Sequence, residues 1–258
     1  MSRYKLRANY DIENIDSQKM DGTVIVDVPM LSNGELNYGL SHIKKKLYEE
    51  NVYPSEIGFD IMSLATMVYM ADTRIERVVH GQDSWTREIE LEIPVSNVEI
   101  WDSQIRTVER MLKFLTGDLW KITLSSRAWQ FNNLEEVREK SNKYDEVSLF
   151  SGGMDSLIST INLMENKKNT LLISHAGEGL TKNAQKNIVN KFDLLYPDVL
   201  HTWLDLWMVF PRDYIPAGGN DNNTRSRSFL FIGYALFAMT GMDNINELLV
   251  PENGLIAL

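Results

Sequence analysis

From residue 146 onward the sequence alternates between short apolar runs and longer helical patterns, and this alternation restricts the fold more than any other feature. EVSLFS (146–151) reads as a strand, 155–166 as a helix, TLLISH (170–175) as a strand, 180–195 as a helix and VLHTWLDL (199–206) as a strand. A long helix over 225–240 and a fourth strand, ELLVP, follow. Strands that alternate with helices predict a parallel sheet covered on both faces. The helix containing FLFIGYALFAM is apolar nearly all round, which suits deep burial.

The first half lacks this regularity. TVIVDV (23–28) reads as a strand. Leu36, Leu40, Ile43 and Leu47 recur at helical spacing, with Lys44, Lys45 and Lys46 expected on a solvated face. Residues 57–70 read as a buried helix. Trp85, Ile89, Leu91, Ile93 and Val95 share one phase of a period-two pattern and Glu88, Glu90 and Glu92 the other, as in a half-exposed strand. Trp101, Ile105, Val108, Leu112 and Leu115 mark an amphipathic helix ending at Gly117, and 118–125 reads as another strand. Mixed order of this kind predicts an α+β domain. Core packing is the expected role of Trp85, Trp101, Trp120 and Trp129. The polar stretch 132–145 reads as a connection, so the expected division is an α+β N-terminal domain over 1–143 and an α/β domain over 144–258.

Composition excludes several function classes. The chain has no cysteine, so disulfides, thiolate zinc sites and a cysteine nucleophile are absent, and a reducing cytoplasm is the expected setting. No apolar run approaches the roughly 20 residues that span a bilayer, and no signal-peptide pattern opens the chain. A net charge of −10 argues against nucleic acid as a nonspecific partner. The fourth strand is followed by only a short segment up to Leu258, so the second domain is expected to be incomplete at its C-terminus, extended by further chain or completed by a partner.

Where the first strand of the alternating region meets its helix the sequence reads SGGMDS, residues 151–156. A loop after a parallel strand lies at the carboxyl edge of the sheet, where open α/β folds bind ligands. The helix start presents unpaired amides and partial positive charge. Gly152 and Gly153 permit close backbone approach and positive φ. Ser151 and Ser156 carry hydroxyls suited to phosphate oxygens. Asp155 would repel bare phosphate, which points to Mg²⁺ or to a cap on the first helical turn. Neither GxxxxGK[ST] nor GxGxxG is present, and no GxSxG elbow accompanies Ser156.

The six residues, Met154 included, match the SGGxDS signature of the PP-loop (N-type) ATP pyrophosphatases, and the chain is identified by resemblance as a member of that class. The resemblance implies a doubly wound parallel sheet of the adenine nucleotide alpha hydrolase-like, HUP type, with ATP cleaved between its α- and β-phosphates and the loop gripping the departing pyrophosphate. The second half further resembles 7-cyano-7-deazaguanine synthase (QueC). Its RNxxFLxxA segment compares with Arg227 to Ala235, where Ser228 replaces asparagine. Its DYGQ compares with His175 to Glu178, where only Gly177 is kept. Its fourth-strand loop compares with Val250 to Gly254. An added N-terminal domain, RSRSFLF and the PENGL ending are similar to the QueC-like proteins of Qat anti-phage operons (QatC). QueC holds zinc with four cysteines that this chain lacks, so no zinc is expected.

The resemblance implies ATP and Mg²⁺ as cofactors, with residues 151–156, His175, Arg225, Arg227 and Glu252 around them. Asp155 and Arg227 are the expected catalytic pair, and Asp155 the expected Mg²⁺ ligand. Arginine suits a bidentate clamp on phosphate or carboxylate; helix-start solvation or ion pairs to Asp213 or Asp221 are the structural alternative for Arg225 and Arg227. AGGNDNNT (217–224) reads either as a lid or as a solvent loop, Lys182 as surface, Asp205 as structural, and Trp203 and Trp207 as core. The implied activity is adenylation of a carboxylate on a nucleobase-like substrate such as a 7-deazaguanine, followed by C–N bond formation with ammonia or an amine of a defence-operon partner protein. A homodimer is a further expectation. The alternatives are an ATP-binding scaffold without turnover and a PP-loop enzyme modifying tRNA.

Overall fold

The computed structural model describes residues 3–131, 140–175, 179–223 and 225–252. Its elements run β1 (Arg3–Asn9), β2 (Asp16–Met20), β3 (Thr23–Pro29), β4 (Leu31–Ser32), β5 (Glu35–Leu36), α1 (Leu40–Glu49), α2 (Glu56–Arg74), α3 (Arg77–His80), β6 (Glu88–Val95), α4 (Val98–Asp102), α5 (Ile105–Thr116) and β7 (Leu119–Ser126). After the 132–139 segment come β8 (Glu146–Leu149), α6 (Met154–Glu165), β9 (Thr170–His175), α7 (Gly179–Leu195), β10 (His201–Leu206), α8 (Arg227–Met239) and β11 (Leu248–Leu249). Among the described residues no helix is long and apolar enough to cross a membrane.

Two compact units emerge. The first comprises Met1–Ser41, Phe59–Glu136 and Met208–Leu230; the second comprises His42–Gly58, Val137–Trp207 and Phe231–Leu258. A division at 143/144 therefore differs from this one in three segments. Residues 42–58 and 137–143 cluster with the second half, and residues 208–230 with the first.

The first unit is built on a mixed sheet of order β2-β3-β1-β6-β7. Three of its pairings, β1 with β3, β1 with β6 and β6 with β7, are parallel, and only β2 with β3 is antiparallel. The unit is thus closer to α/β than to segregated α+β. Asp21 and Gly22 turn the antiparallel pair with φ of 48° and 78°, the left-handed conformations that a two-residue hairpin requires. The period-two reading of β6 holds: Ile89, Leu91, Ile93 and Val95 are buried, while Lys5 on the neighbouring β1 reaches Glu90 and Glu92 at 3.3 and 3.0 Å. Gly117 ends α5 with φ 77° and donates its N–H to Lys113 O.

Other first-half expectations change. Leu36 lies in β5 rather than on α1, and the 101–115 stretch is two helices, with a break at Ser103 and Gln104. Of the four tryptophans only Trp120 is buried; Trp85 precedes β6 and is 57% exposed. Strands β1 and β2 are additions to the sequence reading: β1 alternates with Tyr4, Leu6 and Ala8 buried, and β2 is exposed throughout and carries no buried phase.

The second unit carries a sheet of order β10-β9-β8-β11, every pairing parallel. The chain steps outward from β8 to β9 to β10 and then returns to the far side of β8. Phe150, Leu172 and Phe192 form a core with Leu157 and Ile161 of α6 and Ile188 and Val189 of α7, so both helices pack on one face. His175 has the opposite strand parity to Leu172 and stacks on Tyr234 of α8, ring centroids 5.8 Å apart. Helix α8 therefore lies on the other face. The sheet is doubly wound, with its switch point between β8 and β11.

Candidate functional site

The loop SGGMDS leaves the carboxyl end of β8 at that switch point. Phe150 still belongs to the sheet, donating its N–H to Ile173 O at 2.7 Å. The chain then turns at Gly152, φ +81°, a conformation open to glycine at little steric cost. Space forbids a side chain there as well: a Cβ on Gly152 would lie 2.8 Å from Gln185 Cγ. Gly153 is the N-cap of α6 with extended backbone, φ −82° and ψ 175°, and makes no side-chain cap bond.

Helix α6 begins at Met154, and its first i→i−4 bond is Leu157 N–H to Gly153 O at 3.0 Å. The amides of Met154, Asp155 and Ser156 precede that bond and have no intrahelical acceptor. Ser151, Gly153, Met154 and Asp155 are exposed around them. Asp155 sits in the first turn, where its charge complements the helix dipole, but it does not cap the helix.

Ser156 differs from expectation. Its hydroxyl is buried, donates to Gly153 O at 2.9 Å and accepts from Gly152 N–H at 3.1 Å. It also lies 3.2 Å from Ser151 Oγ, which accepts from Gly153 N–H at 3.3 Å. The two serines therefore shape the loop from within. The hydroxyl expected to donate to phosphate donates instead to the backbone carbonyl three residues back, a local bond that serine forms readily.

His175 ends β9, next to the loop, and is buried. Glu252 follows β11 on the loop's other side and is exposed. The 176–178 run compared with DYGQ and the 253–258 ending lie outside the described residues. Arg225 and Arg227 belong to the 208–230 segment and so to the first unit. Arg225 donates to Thr116 O at 2.8 Å, and its guanidinium stands 4.3 Å from the Trp85 ring centroid. Asp221 pairs instead with Arg77 and Arg87, at 3.9 and 3.8 Å. The phosphate clamp expected of Arg225 is thus engaged in a cation–π and carbonyl contact. The AGGNDNNT loop, described as far as Asn223, is anchored by its own backbone. Gly218 O accepts from Glu76 N–H at 2.7 Å, Ala217 O from Tyr4 OH at 2.8 Å, and Asp221 N–H donates to Thr73 O at 3.0 Å.

Three residues read as surface or structural converge at the carboxyl edge. Asp205 accepts ion pairs from both Lys46 and Lys182. Burial pushes the Asp205 carboxyl up, but the two ammonium groups outweigh it and hold it below the usual carboxylate range. His42 of α1 lies beside Trp207, ring centroids 5.8 Å apart, and burial with Lys46 lowers its pKa. Trp203 is part of the core and donates to Ser174 Oγ at 2.9 Å.

Gln185 carried no functional expectation. It is fully buried on the apolar stripe of α7, in register with Ile188, Val189 and Phe192. A glutamine on such a stripe is the signal that could have singled it out. Among the described residues no three His, Asp or Glu side chains gather to hold a metal ion. Comparison with family models, with curated proteins and with solved structures returned no match.

Proposed function

We propose that the second unit binds Mg·ATP with its pyrophosphate half on residues 151–156, and that the chain is a PP-loop, QueC-like enzyme that adenylates a carboxylate. The observation that carries this reading is the loop's setting. A glycine turn without room for a side chain opens a twelve-residue helix at the switch point of a parallel sheet. That arrangement aims first-turn amides and the positive end of a helix dipole at one spot.

In the first step a carboxylate oxygen attacks the α-phosphorus of ATP, an acyl–phosphate bond forms, the α–β bridging bond breaks and pyrophosphate leaves. In the second, ammonia or an amine attacks the acyl carbon, the nitrogen gives up a proton to solvent as the amide forms, and AMP leaves with the electron pair. The amides at 154–156 receive the charge that accumulates on the leaving pyrophosphate, so catalysis consists of positioning and charge neutralisation. Asp155 is the one carboxylate on the loop. A single carboxylate with phosphate oxygens and water is an ordinary Mg²⁺ donor set, so the residues fit the metal without a protein-built cage. His175 and Glu252 flank the loop, and the Lys46–Asp205–Lys182 group lies at the same carboxyl edge two strands away; these are the groups on the second unit's own elements from which substrate choice follows. The substrate class, a nucleobase-like acid such as a 7-deazaguanine, and a defence-operon partner rest on the resemblance.

The test is release of pyrophosphate and AMP from ATP across a panel of 7-deazaguanine acids, with ammonia or an amine present. Acid-dependent release supports the reading, and failure of ATP to bind sinks it. A second reading, an ATP-binding scaffold, is favoured by the engagement of Arg225 with Trp85 and Thr116. Binding without turnover across the panel selects it.

A further inference from the structure

A peptide unit is planar and trans, so the carbonyl of one residue and the N–H of the next point in opposite directions. Whatever fixes the carbonyls of a loop therefore fixes where its amides aim. At the end of β8 two consecutive carbonyls are held by buried side chains. Phe150 O accepts from Ser174 Oγ and from Gln185 Nε2, the latter at 3.4 Å. Ser151 O accepts from the same Gln185 Nε2 at 3.0 Å. Ser174 Oγ in turn accepts from Trp203 Nε1 at 2.9 Å. With both carbonyls drawn toward α7, the N–H groups of Ser151 and Gly152 are turned the other way, and Gly152 N–H meets Ser156 Oγ.

Packing alone does not account for Gln185. Its Oε1 is buried and has no hydrogen-bond partner. A leucine would fill similar volume without an orphaned acceptor, and unsatisfied buried acceptors are destabilising. The amide orientation is fixed as well, because reversing it would set Oε1 against two carbonyls. The residue also explains why position 152 is glycine, since Gln185 Cγ fills the space a Cβ would take.

We infer that Gln185 is a positioning residue of the anion-binding loop. From α7 it sets the direction of two consecutive peptides, with Ser174 and Trp203 holding the Phe150 carbonyl beside it, and through them it places the loop that leads into the open first-turn amides of 154–156, which would face a polyphosphate. Gln185 itself touches no ligand. This rests on the proposed ATP reading for the identity of the anion but not for the loop geometry.

Gln185→Leu in the full chain tests it, with two readouts. The first is amide hydrogen exchange of the 150–156 segment without ligand. The second is affinity for Mg·ATP and for inorganic pyrophosphate. The inference expects an unchanged far-UV spectrum and a Tm near wild type, exchange faster by about tenfold or more in that segment alone, and weakening of both ligands by about tenfold. Unchanged exchange overturns it, as does unchanged affinity where wild type binds. If wild type binds neither ligand while Gln185→Leu still frees the segment, the ATP reading fails and the positioning role stands. Should Gln185→Leu fail to fold, Ser174→Ala and Trp203→Phe remove the supporting bonds one at a time. Either must raise exchange in 150–156, and no change in both overturns the inference.

Discussion

The molecule contains two loops built around a Gly-Gly pair, and they put the same turn chemistry to opposite uses. At 152–153 the glycines leave backbone amides presented at a helix start, with exposed Ser151, Met154 and Asp155 around them. At 218–219 they let the chain press against other backbone. A Cβ on Gly218 would lie 2.2 Å from Arg74 O, and Gly219 takes φ +84° beside Glu76. The first loop is held from below by two side chains and stays open above. The second is held by its own main chain and by a buried charge network. Gly152 and Gly218 thus each mark a place where a side chain would be in the way, and the surroundings decide whether backbone amides stay open or the segment is locked to its neighbours.

The sharpest way to break the comparison is to remove the network behind the second loop. Arg87 is fully buried and bonds to Asp118 at 2.6 Å, to Asp72 at 2.5 Å and to the Ile75 carbonyl at 2.5 Å. Asp72 also accepts Ser226 N–H at 3.0 Å, and its carbonyl accepts from Asn223 at 2.9 Å. Arg87→Ala leaves two buried carboxylates short of a partner and is expected to destabilise by about 3–5 kcal/mol in urea unfolding. A loss below about 1 kcal/mol would show that the network does not hold the first unit together.

Gly218→Ala comes next. The clash is with backbone that has no rotamer to yield, so about 3 kcal/mol, the upper part of the overpacking range, is expected. Nucleotide affinity per folded molecule should stay unchanged. Gly152→Ala should invert that pattern. The left-handed φ costs about 1–2 kcal/mol, and the Cβ presses on the Gln185 side chain rather than on backbone. Mg·ATP affinity should fall by more than tenfold, as measured by calorimetry on the folded fraction. Equal losses of stability and affinity in both variants would erase the distinction between the loops.

Acid acts on both units through their carboxylates, and salt separates them. Burial raises the Asp118 carboxyl, but Arg87 and Arg77 outweigh it and hold it below the usual range; Asp205 is held low by Lys182 and Lys46 against the same burial effect. Groups depressed in the folded state contribute fully above their unfolded values near pH 4 and lose that contribution as pH falls through the lower folded values. Urea midpoints should therefore hold from pH 7 to about 5 and fall steadily below about 4. High salt should weaken the Asp205 pairs more, because Lys46 and Lys182 are partly exposed whereas Arg87 is not.

The smallest expected effect is the most specific. A Cβ on Gly153 would meet only Ser151 Oγ at 3.4 Å, with no positive φ, so Gly153→Ala should cost only about 0.5–1 kcal/mol, the N-cap preference for glycine over alanine. If a polyphosphate approaches that backbone closely, its affinity should still fall severalfold. Unchanged binding would move the contact surface away from the cap.

How much was legible follows residue by residue. Strand β9 matches TLLISH to the residue, and α6, α7 and α8 fall within two residues of their sequence patterns, because each is an unbroken periodic run. Strand β2 was not legible, since DSQKM is exposed throughout and has no apolar phase, whereas RYKLRAN does alternate and β1 could have been read from Tyr4, Leu6 and Ala8. Gly152 was legible as a turn residue, but Gln185 beneath it was not. The two stand 33 positions apart and meet only when α7 packs back on the sheet. Lys46, Lys182 and Asp205 likewise read as separate solvated or structural residues until the fold made one group of them.

The sequence by itself determined the parallel, alternating architecture of the second unit and the strand–loop–helix setting of SGGMDS. Both are carried by periodicity and by glycine, which act over a few residues. Only the tertiary structure decided that Ser156 turns inward, that Arg225 rests on Trp85, that 208–230 joins the first unit and that Gln185 fixes the loop's carbonyls. Each of those outcomes depends on which distant donor or acceptor comes within about 3 Å, and hydrogen bonding over that range has no periodic trace in a chain.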